Sequence, residues 1–94
     1  MDSSLFDLAE FYLYTFVSTS NALKAESVLK NEQADFITIP TLREISSSCG
    51  LSIKIRPEHI EEYRLLLQDN KVAVEKIYHV NKVQKKYRVE EYKA

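Results

Sequence analysis

The stretch FYLYTFVSTSNALKAESVLKN, residues 11–31, carries a strand, a cap and a helix in succession. Phe11 to Val17 is aromatic and β-branched without a polar face, which suits a strand near the middle of a sheet. Residues 18–21 (STSN) then offer four side chains that can accept hydrogen bonds from free amides. Ala22, Leu23, Ala25, Glu26, Leu29 and Lys30 follow at helical spacing, so a helix is expected from about Thr19 to Asn31.

Downstream the same alternation of strand and helix returns. Phe36 to Ile39 (FITI) reads as a short strand stopped by Pro40, which cannot donate to a ladder. From Leu51 the pattern is strict alternation: Leu51, Ile53 and Ile55 face one side and Ser52, Lys54 and Arg56 the other, the signature of a half-solvated strand. Pro57 sits where a first helical turn tolerates it. Glu58, Glu61 and Glu62 favour the positive end of a helix dipole, and Ile60, Tyr63, Leu66 and Leu67 make a core stripe that ends near Asn70. Val72 to Val80 supplies a fourth strand. Upstream, residues 1–10 allow a short helical lead-in with Ser3 or Ser4 as its cap. The order β-α-β-β-α-β points to an α+β fold, the ferredoxin-like sandwich of a four-stranded antiparallel sheet with two helices on one face. Three segments follow: a lead-in at 1–10, the domain at 11–80 and a C-terminal tail at 81–94.

Bulk properties narrow the function. Ninety-four residues make one domain with a single core. A formal net charge of -1 with 29% charged residues gives no support to a polyanion-binding protein as a whole, so nucleic acid is not an expected partner. No apolar run has the length of a membrane span and the first residues do not read as a secretory leader, so a cytoplasmic protein without membrane association is expected. The tail is the exception in charge: residues 81–94 hold five basic residues (Lys82, Lys85, Lys86, Arg88, Lys93) against Glu90 and Glu91, a net +3, while residues 1–80 hold eight against twelve, a net -4. Such asymmetry fits a docking arm for an acidic partner or nucleic acid, or a solvated extension that is helical or disordered. Burial of Val83, Tyr87 and Val89 against a second chain would instead make the tail the seat of a homo-oligomer.

The candidate site is residues 40–50, PTLREISSSCG, which hold the sole cysteine, Cys49, and the sole glycine, Gly50. A lone cysteine closes no internal disulfide. By default it is a small buried hydrophobe; in an electropositive, accessible setting it is a nucleophile. The expected topology favours the second setting. The first two strands run parallel with the third between them, so the 40–50 loop emerges where the first strand turns into the first helix, beside Ser18, Thr19 and Ser20. A helix N-terminus carries about half a positive charge and free amides, which favour a thiolate. Arg43 adds to that field or is a solvated charge paired with Glu44. Gly50 leaves the backbone open to a molecule approaching the sulfur. Ser46, Ser47 and Ser48 donate hydrogen bonds to an anionic product or form a polar turn. His59 and His79 with one cysteine lack the ligand spacing of a zinc site, and one glycine makes no phosphate loop.

Thr15-Phe16 leading to Ser18-Thr19, then Ala22-Leu23-Lys24-Ala25-Glu26, Ile39-Pro40-Thr41 and above all Arg43-Glu44-Ile45-Ser46-Ser47-Ser48-Cys49-Gly50 resemble a bacterial selenium/sulfur carrier-like family. The resemblance covers approximately residues 11–80. It implies that Cys49 is the motif cysteine that holds sulfur or selenium as a persulfide or selenosulfide, with donor and acceptor proteins as partners, no cofactor, and a role as carrier rather than catalyst. Leu42 stands where relatives often have a second proline, and Arg56 where they often have an aspartate cap. The competing function class is a ligand-binding or protein-interaction module, regulatory rather than catalytic, with a structural cysteine.

Overall fold

The structure, a computed structural model, describes residue 5, residues 7–45 and residues 49–93. Its elements are β1 (Glu10–Thr15), α1 (Thr19–Asn31), β2 (Phe36–Pro40), β3 (Leu51–Ile55), a 3-10 turn (Pro57–His59), α2 (Ile60–Asp69), β4 (Lys76–Val83) and β5 (Lys86–Tyr92). The strands form one sheet in the order β2-β3-β1-β4-β5, and each neighbouring pair is antiparallel. The α+β class, the two helices and the placement of β3 between β1 and β2 agree with the sequence reading. The sheet has five strands, however, where the ferredoxin-like expectation has four.

The fifth strand is the tail. Gln84 and Lys85 both take positive φ, 49° and 68°, and turn the chain back so that β5 pairs with β4 from Val83↔Lys86 to Ile77↔Tyr92. A two-residue loop with two left-handed residues matches the twist of the flanking strands. The segment expected to be a helical or disordered extension is therefore ordered as an edge strand. β4 is also displaced from its expected span of 72–80. Val72 is buried and Val74 packs on the core from the α2–β4 connection rather than from the sheet.

One face of the sheet is covered by α1 and α2. Tyr14, Phe16, Ile53, Ile55 and Ile77 meet Ala22, Ala25, Leu29, Tyr63 and Leu67 in a single core, with Ile60 and Leu66 partly buried beside it. The spacing of those helical residues at three and four positions is what turns them to one side. Tyr14 ties the layers together, its hydroxyl donating to the Ile60 carbonyl at 2.7 Å. Arg56 stands at the N-cap of the 3-10 turn without capping it. Its Nε instead pairs with Asp35 Oδ2 at 2.6 Å, clamping the entry of β2 to the exit of β3.

The opposite face is closed differently. Phe11, Leu13, Ile45 and Val80 form a second cluster, joined by Leu8, Ile39, Leu42, Tyr78 and Val89. This cover explains a correction in β3. Ser52 and Lys54, expected to face solvent, are only 0% and 6% exposed. Lys54 lays its ammonium 4.2 Å from the centroid of the Phe11 ring, and Ser52 Oγ lies 2.8 Å from Thr41 Oγ1. Of the helical lead-in expected at 1–10, residues 1–4 and 6 lie outside the described residues; of those described, Leu5 is buried and Leu8 packs on this face.

Candidate functional site

Residues 41–50 connect β2 to β3 at the end of the sheet where β1 leads into α1, since Thr15 of β1 stands opposite Ser52 of β3. The loop is closed at its base by Thr41 N–H donating to the Gly50 carbonyl at 2.9 Å. Its ascending limb is a β-turn, with Ile45 N–H donating to the Leu42 carbonyl at 3.0 Å. That geometry puts Arg43 and Glu44 at the exposed tip and sends Leu42 and Ile45 inward onto the second cluster. Leu42 thus anchors the loop by packing on that cluster. Among the described residues no ion pair joins Arg43 to Glu44.

Gly50 takes φ +74°, and a Cβ built on it would meet nothing within 4 Å. The left-handed backbone favours glycine here, and the space beside its Cα is open.

Cys49 is half-buried and packs against the helix-side core. Its Sγ accepts from Leu51 N–H at 3.3 Å and, as a thiol, donates to the Leu51 carbonyl at 3.2 Å. The direction of those bonds locates the sulfur. Hydrogen-bonded and open pairs alternate along an antiparallel ladder. Thr41 and Gly50 are bonded, so Pro40 and Leu51 form the open pair, and the Leu51 N–H and carbonyl turn away from β2 towards β1. The β1–β3 register stops at Thr15↔Ser52, one residue short of Leu51. The sulfur therefore fills the next rung, on the side where β1 passes through Phe16 and Val17 to the helix cap.

That cap is Ser18, whose hydroxyl accepts from Asn21 N–H at 3.2 Å. Thr19 and Ser20 are exposed in the first turn of α1, which contains no acidic residue to offset the positive helix end. The structure thus brings Cys49, Gly50 and Ser18–Ser20 to one corner of the sheet, while Arg43 stands at the exposed tip of the loop. Ser46, Ser47 and Ser48 lie outside the described residues. Sequence reasoning missed Leu51, whose main chain holds the sulfur, and Leu42 and Ile45, which hold the loop. Their apolar side chains at i and i+3 around Arg-Glu were the available signal.

Two clefts lie elsewhere. One, of about 510 Å³, is lined by Arg64, Val72, Val74, Lys76, Ile77 and Tyr92 among others, between the end of α2 and the start of β4. The other, of about 330 Å³, lies between the α1–β2 connection and α2. Neither is lined by Cys49. Among the described residues no helix is long and apolar enough to cross a membrane.

No curated protein and no solved structure matches the chain. The family described as "Putative Se/S carrier protein-like" matches residues 11–79 of the 94, and the chain belongs to that family.

Proposed function

We propose that the protein carries sulfur or selenium on Cys49 as a persulfide or selenosulfide. Support comes from one observation above the rest: the single thiol is half-buried, tied to the main chain of Leu51, at the corner where α1 begins. The Leu51 N–H is a donor to the sulfur in either protonation state, and the Leu51 carbonyl accepts the thiol proton until deprotonation releases it.

Loading needs no oxidant. The Cys49 thiolate attacks the terminal sulfur of a donor persulfide; a new sulfur–sulfur bond forms, the donor's own sulfur–sulfur bond breaks, and its electron pair leaves with the donor thiolate. Unloading is the same exchange onto an acceptor. A chain with one cysteine has no internal thiol to resolve the bond, which suits transport and disfavours dithiol redox chemistry. Arg43, Ser46, Ser47 and Ser48 and the exposed Thr19 and Ser20 complete the proposed site, with Arg43 meeting the partner at the loop tip. The implied partner is a cysteine desulfurase or a selenide-utilising enzyme, and the compartment is the cytoplasm.

The test is intact mass spectrometry after incubation with a desulfurase and cysteine, and in parallel with selenocysteine. One added sulfur or selenium atom, absent in Cys49→Ser, is the expected result. An unloaded protein under both conditions, or an adduct that persists in Cys49→Ser, rejects the carrier. The competing reading, a ligand-binding or interaction module, draws on the 510 Å³ cleft, which Cys49 does not line.

A further inference from the structure

The two edges of the sheet differ in how they end. β2 has five residues, closes on Pro40 and has Ile39 tucked into the cluster that holds the loop. Proline, short length and cover are devices that keep an edge from pairing. β5 has seven residues and no proline, and among the described residues no element lies beyond it in the sheet. Its sequence, Lys86-Tyr-Arg-Val-Glu-Glu-Tyr92, sorts charge by position: basic before Val89 and acidic after it.

We infer that β5 pairs antiparallel with β5 of a second copy of this chain, centred on Val89. For the helices of both copies to lie on the same side of a continuous sheet, residues of the same face must stand opposite one another. That leaves few registers. Centring on Val89 overlaps the whole strand, setting Lys86 against Tyr92 of the other copy, Tyr87 against Glu91, and Arg88 against Glu90 twice over. Centring one residue earlier sets Arg88 against itself. Centring one residue later sets Glu90 against itself. Only the Val89 register pairs every charge with its opposite or with a neutral residue, and like charges directly opposed destabilise a sheet pair.

The side chains of the two charge pairs are available. Arg88 and Glu90 are exposed, and among the described residues neither has an ion pair. On the other face Val89 extends the second cluster, and Tyr87 stands edge-on to Phe11 with centroids 6.4 Å apart, 37% exposed. Pairing across the two-fold axis would bring the Val89 side chains together and cover both tyrosines. The product is a ten-stranded sheet, twice the five strands of one copy. Its two Cys49 loops lie at opposite ends and on the outer half of each copy, so neither sulfur blocks the other. The pairing does not depend on what Cys49 carries.

Sedimentation equilibrium of the full chain over a concentration series tests this, with R88E, E90R and the double variant. Each single change places like charges at both symmetric positions and is expected to raise the dimer dissociation constant about tenfold, while the double variant restores both pairs and returns to within about threefold of the parent. Because both residues are exposed, circular dichroism should show all three folded. Cys49→Ser should dimerise like the parent, which separates this result from the carrier reading. A protein that stays monomeric into the millimolar range overturns the inference. So do single variants that associate like the parent, or a folded double variant that associates no better than the singles.

Discussion

The helix-covered face of the sheet and the face opposite each bury an apolar cluster, but by different means. On the first, regular elements with periodic apolar residues interlock: Leu29 from α1, Leu67 from α2, Tyr14 and Ile53 from the strands. On the second, irregular segments fold over the strands, with Leu8, Leu42 and Ile45 as the contacts. Periodic cover is built for stability. Irregular cover is cheaper to lift, because few residues must move together. The loop with the sulfur takes part in both, since Ile45 packs on the second face and Cys49 on the first.

Unequal core substitutions should show that difference most strongly. Leu67→Ala removes a fully buried side chain between rigid layers and should cost about 2–5 kcal/mol. The melting temperature then falls by roughly 10 °C or more. Ile45→Ala should cost less, about 1–2 kcal/mol, because a loop collapses into the space more readily than a helix does. Its larger effect should be on the site: alkylation of native Cys49 should quicken, while Leu67→Ala leaves that rate nearly unchanged under folding conditions. Equal labelling rates in the two variants would show that the anchors on the two faces are uncoupled.

Gly50→Ala sharpens the same contrast within the loop. Since the added methyl meets nothing, the cost should be that of a left-handed residue alone, about 1–2 kcal/mol. A loss well beyond that in chemical denaturation would mean that the loop cannot hold its anchors once φ is forced.

The smallest expected effect is a difference in sign between the faces at alkaline pH. On the helix side, burial first and the Glu61 charge second push the Tyr14 phenol well above its ordinary 10.0. The folded state keeps a proton that the unfolded chain surrenders, so this contribution is present below pH 10 and is lost above it. On the other side, burial pulls the Lys54 ammonium below its ordinary 10.5. There the folded state gives up a proton that the unfolded chain retains, so stability gains as pH rises towards 10.5. Urea midpoints against pH should steepen downward in Lys54→Met and flatten in Tyr14→Phe, which also loses about 1 kcal/mol with its hydrogen bond to Ile60.

What the sequence made readable follows the same division. α1 has the expected bounds because a capping serine, helical spacing and a polar break agree over Thr19–Asn31. The solvent exposure assigned to Ser52 and Lys54 was wrong because alternation reports the two faces of a strand and not what lies over them. β5 was hidden for two reasons. Its turn is carried by Gln84 and Lys85, which lack the glycine or asparagine that normally marks positive φ, and its apolar residues change face between Val89 and Tyr92. That the 41–50 loop leaves the sheet at the end where β1 turns towards α1 was legible from topology alone. The Leu51 contacts were not, since main-chain partners leave no trace in residue identity.

The sulfur stands in for a missing rung of the β1–β3 ladder, and that has a consequence for any reaction it undergoes. Swinging outward to meet a donor uncovers the Leu51 amide, so the proton on that nitrogen should exchange with heavy water at a rate set by where the sulfur is. Hydrogen exchange at this one amide would then time the departure and return of the cargo without any label on the cysteine.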